Sequence, residues 1–219
     1  MSTFAVIPVK RFELAKQRLA AAIPGGHRRA LAEAMLSDCL LALRRVPAID
    51  EICLVTADPT ATRLAAEHGL TTVEDTGSSH SEAATLGITH ALSSGATRVL
   101  LAAADCPLID PQELEALLAR PTPTRSVLVV PDRHGDGTNA LLLKPPNVIR
   151  PAFGEGSRRR HSTTAATAGA MPEVVALASM GLDIDTPEDL ETLVATLAAT
   201  RGRAAHTRGL LNQLTRTHG

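Results

Sequence analysis

Apolar residues along the chain fall into two kinds of run that alternate. Short, continuous, β-rich blocks recur at Phe4 to Val9 (FAVIPV), Ile52 to Thr56 (ICLVT), Arg98 to Ala103 (RVLLAA), Ser126 to Val130 (SVLVV) and Asn139 to Leu143 (NALLL). Blocks of this kind suit strands buried on both faces. Between them the apolar positions return at helical spacing. Leu31, Met35, Leu36, Leu40 and Leu43 predict a helix from about His27 to Arg45, after a loop at Pro24-Gly25-Gly26. Pro59 to His68 reads as a second helix closed by Gly69. Ser81 is the expected cap of a third, Glu82 to Leu92, and Asp110 and Pro111 begin a fourth that runs to Leu118. Thr186 caps a helix from Pro187 to Thr200, with Glu188 and Asp189 in its first turn. Thr71 to Val73 is a short strand, and Val174 to Ala178 is a further strand candidate. The segment from Arg201 onward, rich in Arg and Thr, is expected as a short helix or as disordered chain.

Strands alternate with helices through the first half of the chain, which predicts an α/β fold with a mostly parallel sheet and right-handed crossovers. The two close strands after Ser126 predict an antiparallel excursion, so the sheet is mixed. No repeat and no long linker divides the chain, and residues 1–200 are expected as one domain followed by a tail, 201–219. In such sheets ligands bind beyond the carboxyl ends of the strands. The polar clusters sit there: after Val9, after Ala104 and in the turn from Asp132 to Thr138.

Composition removes several classes of function. The 219 residues are 44% apolar and 21% charged, which fits a soluble globule. There are three Phe and no Trp or Tyr, so an aromatic platform for stacking bases is not available. Lys and Arg number 22 against 23 Asp and Glu, a net charge of −1. No global basic field recruits nucleic acid or an anionic membrane. Cys39, Cys53 and Cys106 match no zinc spacing and make a poor disulfide framework. With no signal-like start and no long apolar stretch, the expected location is the cytoplasm.

Five segments carry candidate chemistry. Lys10, Arg11, Lys16 and Arg18 follow the first strand, where cations and backbone N–H groups gather phosphates, although a solvated basic loop would look the same. The loop lacks the GxxxxGK[ST] of a P-loop. Asp105, leaving a buried strand before Cys106-Pro107, is a hard carboxylate facing the expected cleft and suits Mg²⁺. Asp183 and Asp185 point the same way if their segment is extended, and one of them is a second metal ligand or merely part of the cap of the following helix. Thr138 in GDGTN and Ser157 in FGEGS, with Gly154, bring hydroxyls and close backbone approach. Arg158, Arg159 and Arg160 follow, with at least one expected to reach a small phosphorylated acid. The histidines show no HExxH spacing and there is no GxSxG elbow, so a hydrolase is not expected.

Taken together, VIPVKRFELAKQRL (Val6 to Leu19), the segment Ala30 to Leu36, VTAD (Val55 to Asp58), AADCPL (Ala103 to Leu108), PDRHGDGTNALLL (Pro131 to Leu143), FGEGSRRRH (Phe153 to His161) and LDIDTPEDL (Leu182 to Leu190) form a pattern. It resembles the guanylyltransferases of coenzyme F-420 biosynthesis, within the wider group of sugar-nucleotide-type nucleotidyltransferases. The resemblance implies a Rossmann-like nucleotidyltransferase fold. It implies a reaction in which GTP and 2-phospho-L-lactate, phosphoenolpyruvate or 3-phospho-D-glycerate give a guanosine-diphospho-acid and pyrophosphate. The product would pass to the transferase that acts on the deazaflavin precursor. The resemblance also implies that Thr138, Gly154 and Ser157 contact the phospho-acid, and that Asp105 with Asp183 and Asp185 binds Mg²⁺. Lys16 and Arg18 are expected as the catalytic cations at the triphosphate, with Lys10 a further nucleotide-binding candidate. A homodimer is left open.

One segment departs from the resemblance. Many such proteins carry a GLN-type stretch where Gly77 to Ala83 reads GSSHSEA, which bears on the nucleotide contact there. Two alternatives stay open: a nucleotidyltransferase using CTP or a molybdopterin-type acceptor, and a nucleotide-binding module without turnover.

Overall fold

The computed structural model describes the whole chain except Ala15, Ala21, Ala22, Ser78, His218 and Gly219, with Leu14 and Thr217 described by backbone alone. Its strands are β1 (Thr3–Val9), β2 (Glu51–Thr56), β3 (Thr71–Glu74), β4 (Arg98–Ala102), β5 (Ser126–Val130), β6 (Ala140–Lys144) and β7 (Met171–Val174). They form one sheet in the order β3-β2-β1-β4-β6-β5-β7. The pairs β1/β2, β1/β4, β2/β3 and β5/β7 are parallel. Strand β6 runs antiparallel to both β4 and β5, which is the excursion expected after Ser126.

Every residue of β1 is buried, and its side chains divide between two layers with a period of two. Ala5, Ile7 and Val9 meet Leu36 and Leu40 of α1 (Gly25–Leu43), Leu64 of α2 (Pro59–Glu67) and Leu114 of α4 (Pro111–Ala119). Phe4 and Val6 face Ala84 and Ile88 of α3 (His80–Ser93) and share their layer with Ala165 of α5 (Ser157–Thr167). Chain order reverses between β1 and β4, so their carboxyl ends open a crevice at the switch point of the sheet. A third cluster joins Leu19 and Ile23 of the basic loop to Leu31 and Met35 of α1 and to Leu193 and Leu197 of α6 (Pro187–Ala199).

Three local expectations are corrected. Helix α3 begins at His80 and is capped by Ser79, whose hydroxyl accepts from the Glu82 N–H at 3.2 Å. Ser81 is used elsewhere: its Oγ accepts from the Phe153 N–H at 2.9 Å. Gly25 and Gly26 form the first turn of α1 instead of a loop, in positions where backbone N–H groups have no helical partner anyway. The last strand pairs over Met171–Val174, ahead of the apolar run that predicted it, because Val175 and Leu177 pack against the core from the loop beyond.

The segment after Arg201 contains helix α7 (Ala205–Thr217). Its start is fixed from a distance by Asp38 of α1, buried, whose carboxylate accepts from the N–H groups of His206 and Thr207 at 3.1 and 2.8 Å. That satisfies helix-terminal donors and places negative charge at the positive end of the helix dipole. Among the described residues no helix is long and apolar enough to cross a membrane.

Candidate active site

A cleft of about 680 Å³ lies beyond the carboxyl ends of β1 and β4, within the size range of small-ligand sites. Lys10, Lys16, Arg18, Asp105, Thr138, Gly154, Ser157, Asp183 and Asp185 all line it. The floor is Pro8 and Val9 at the end of β1 with Ala103 and Ala104 after β4. One wall is the basic loop, folded as two short 3-10 turns at Phe12–Leu14 and Gln17–Leu19. Asp58 anchors it: one carboxylate oxygen accepts from the Phe12 N–H at 2.8 Å, while the other caps α2. The facing wall is the β5–β6 connection and the turn that leads into α5.

The acidic residues come together as expected. Asp105 leaves β4, and the N–H of Ile184 bonds back to its carbonyl at 3.3 Å, so Asp183 and Asp185 are pinned beside it. Thr186 and Asp189 then close a capping box that starts α6. Lys16 enters this cluster from the other side. Its backbone is left-handed, with φ 56° and ψ 36°, a conformation that costs a residue with a Cβ about 1–2 kcal/mol. The side chain, 6% exposed, places Nζ 2.5 Å from Asp105 and 2.9 Å from Asp185. Burial alone would lower the pKa of this ammonium. The charge of Asp105 and then of Asp185 outweighs burial and holds it above its ordinary range. The sequence pattern aims Lys16 at the outer phosphates; here Asp105 and Asp185, which make no other salt bridge among the described residues, draw its ammonium inward.

Asp183 is the member without a lysine. Its carboxyl is pushed up to about 6, first by burial and then by Asp105, against the hydrogen bond that Asn139 Nδ2 donates at 3.1 Å. A folded pKa above the unfolded 3.8 means that the native state holds a proton the unfolded chain has already released. Stability from this group therefore falls as pH rises from about 4 to about 6. Asp183→Asn removes the ionisation. In metal-free buffer its melting temperature should gain on wild type across that window and keep the gain above it. A melting-temperature difference that stays flat from pH 4 to 7 would contradict the crowding of charge at Asp183.

The facing wall brings the Thr138 and Ser157 hydroxyls and glycine backbone together with Asp132, Asp136 and Glu155. Asp132 accepts from the N–H groups of Asp136 and Gly137, both at 3.0 Å, and sets the turn that presents Thr138. Asp136 in turn accepts from the Gly156 N–H at 2.7 Å, tying this turn to the next. Gly154 and Gly156 have φ of 107° and 68°, which a side chain would strain. Ser157 Oγ lies 3.1 Å from Thr138 Oγ1. The arginines are a correction. Among the described residues that line the cleft, Arg158, Arg159 and Arg160 do not appear. Arg160 instead donates to the carbonyls of Ala152, Phe153 and Glu155 and stitches the turn from outside, because those carbonyls have no strand or helix partner.

Asn139 and His161 stand inside the sequence motifs with no role that the pattern assigns. Asn139 spans from Met180 O, at 2.8 Å, to Asp183. His80, in the departing segment, lines the cleft, and its ring meets Phe153 edge-on at 4.9 Å. Ser78, in the same segment, lies outside the described residues. The three cysteines are free and buried, and burial holds each thiol up, Cys53 at about 12, so none supplies a thiolate at neutral pH.

A family model described as guanylyl transferase CofC like matches residues 3–216. A phosphoenolpyruvate guanylyltransferase from Conexibacter woesei is 50% identical over 220 residues, covering 100% of this chain and 99% of the relative. A 3-phospho-D-glycerate guanylyltransferase from Colwellia psychrerythraea is 33% identical, over 88% of this chain and 91% of the relative. A 2-phospho-L-lactate guanylyltransferase from Methanothermobacter thermautotrophicus is 30% identical, over 98% and 92%. Among solved structures, a protein described as a nucleotide-diphospho-sugar transferase, from Desulfovibrio desulfuricans G20, superposes with a TM-score of 0.75 at 20% identity, over 97% of this chain and 95% of that one. A CMP:2-keto-3-deoxy-manno-octonic acid synthetase complexed with CTP gives 0.64 at 14%, over 91% and 99%. These structures share the nucleotidyltransferase fold expected from the sequence.

Proposed function

We propose, since this chain belongs to the CofC-like guanylyl transferase family, that it transfers GMP from GTP to the phosphate of a three-carbon phospho-acid, releasing pyrophosphate. Phosphoenolpyruvate is the first choice of acid, supported by 50% identity over the full chain to a relative that carries that name. The observation that carries the reading is one cleft with two unlike walls: Lys10, Lys16 and Arg18 with Asp105, Asp183 and Asp185 on one side, and on the other the Thr138 and Ser157 hydroxyls with glycine backbone, where Asp132 and Asp136 accept from backbone N–H groups.

In this reading an oxygen of the acid's phosphate attacks the α-phosphorus of GTP. The bond from that phosphorus to the α,β-bridging oxygen breaks, and pyrophosphate leaves with the electron pair. The attacking phosphate is already anionic and needs no strong base. Positioning and charge neutralisation therefore carry the rate. Lys10 and Arg18, with Lys16 behind them, lie where the departing pyrophosphate gathers charge. Thr138, Ser157 and the Gly154 backbone hold the acid in line.

Mg²⁺ belongs to the proposal. Among the described residues no three His, Cys, Asp or Glu side chains form a metal cage. The donor set still fits this ion, which takes one or two carboxylates and completes its shell with substrate phosphates and water. Asp105 and Asp185 already share one cation, and Asp183 beside them is crowded with negative charge. Asp105 and Asp185 would hold the ion, with Asp183 behind them, and it would supply charge neutralisation at the phosphates. The product would serve coenzyme F-420 assembly as the activated acid.

The test is pyrophosphate release with GTP, ATP, CTP and UTP against each of the three acids. GTP should be preferred, and release should require an acid. Equal kcat/KM for CTP and GTP would favour the cytidylyl alternative, and release without any acid would refute acceptor transfer. The two walls are tested by Thr138→Ala and Ser157→Ala. Thr138→Ala removes the hydroxyl that donates to the charged phosphate, and Ser157→Ala removes the hydroxyl that donates to Thr138 and fixes it; each should raise the KM for the acid, the first about ten- to a hundredfold. GTP affinity should barely move. A fall in GTP binding at constant KM for the acid would mean that the subsites are exchanged.

A further inference from the structure

We infer that His161, which lies behind the cleft wall, is a positioning residue that aims the Thr138 hydroxyl proton at the acid's phosphate. The inference rests on the assignment of Thr138 to the acid subsite.

His161 is fully buried on α5 and does not line the cleft. Its two ring nitrogens have different partners. The Ala152 N–H donates to Nε2 at 2.9 Å, so Nε2 carries no proton. The proton of the neutral ring is therefore on Nδ1, which lies 3.1 Å from Thr138 Oγ1 and donates to it. A hydroxyl has one proton and two lone pairs. Thr138 Oγ1 accepts from His161 and also from Ser157 Oγ, at 3.1 Å. Both lone pairs are then used by groups inside the wall. The Thr138 proton is left to be donated outward, into the cleft that Thr138 lines. Burial first, and Arg160 next, lower the His161 pKa to about 4, which keeps the ring in its one-proton form at neutral pH.

The chain of donors thus runs from the Ala152 backbone through His161 to Thr138 and ends on the ligand. A donor already aimed at an anion does not have to reorient when the anion binds. Phe153, packed edge-on to His161 at 5.2 Å, keeps the ring from turning over.

Two substitutions separate the ring's two jobs. His161→Asn places an amide nitrogen where Nδ1 stands, keeps a donor for Thr138 and gives up Ala152. His161→Gln places an amide oxygen near Nε2, keeps the acceptor for Ala152 and gives up the donor. His161→Gln should raise the KM for phosphoenolpyruvate about tenfold with kcat and the KM for GTP unchanged, and His161→Asn should stay within about threefold of wild type. Thr138→Val alone should raise the same KM, and adding His161→Gln to it should raise it no further. Equal losses in the Asn and Gln variants, or multiplicative effects in the double variant, would overturn the inference. A Thr138→Val enzyme with wild-type KM for the acid would overturn the subsite assignment and the inference with it. A raised KM in Thr138→Val with none in His161→Gln overturns the inference alone.

Discussion

Asp105→Asn should retain less than about one hundredth of wild-type pyrophosphate release while folding normally. Asp105 is tied to the rest of the acidic cluster three ways: its carboxylate binds Lys16, its backbone carbonyl accepts from Ile184, and its charge helps raise the Asp183 carboxyl. The substitution keeps the shape and removes one negative charge. If Mg²⁺ on this cluster supplies several kcal/mol of charge neutralisation at the phosphates, losing its principal ligand costs a factor of about 10² or more. Stability should change little, because Asp105 is partly exposed and Lys16 keeps Asp185. Pyrophosphate release near the wild-type rate from a folded Asp105→Asn protein would sink the metal assignment.

Lys16→Met should be of similar or larger effect, about 10²–10³ in kcat/KM, by analogy with removing one preorganised charge donor from a site where charge develops. It should also cost stability. Methionine keeps the left-handed backbone of position 16 but abandons two carboxylates that share the lysine. Lys16→Gly makes the second effect separable. Glycine adopts φ near 56° without strain, so this variant should be equally inactive yet about 1 kcal/mol more stable than Lys16→Met. A Lys16→Gly enzyme with near wild-type turnover would show that the ammonium is structural and that Arg18 and Lys10 serve the phosphates without it.

The central strands were legible because burial on both faces leaves an unbroken apolar run, as in Phe4 to Val9, and the switch point follows from their order. The acidic site was legible because each carboxylate stands at a strand end or a helix start, places that a local pattern marks. What escaped depends on partners far apart in the chain. Ser81 looks like a cap, but a backbone N–H 72 residues away claims its hydroxyl. For the segment after Arg201 the sequence leaves a short helix and disordered chain both open, and the helix owes its start to Asp38, 168 residues away. Strand β7 lies at the sheet edge with Met171 and Val174 exposed, so no apolar run announces it. The charge of Lys16 points to phosphates, but nothing local says that its backbone turns left-handed and its ammonium meets Asp105. The run Arg158 to Arg160 points at the phosphate for the same reason, yet none of the three lines the cleft and the Arg160 guanidinium serves carbonyls.

The central claim is that the acid's own phosphate attacks the α-phosphorus of GTP. Phosphoenolpyruvate labelled with ¹⁸O in its phosphate oxygens, incubated with GTP, Mg²⁺ and the enzyme, tests this most directly by mass spectrometry. The account predicts one guanosine-diphospho-acid per pyrophosphate, with all of the label in the former and none in the latter. Label in pyrophosphate, or a labelled inorganic phosphate released beside unlabelled GDP, would contradict it.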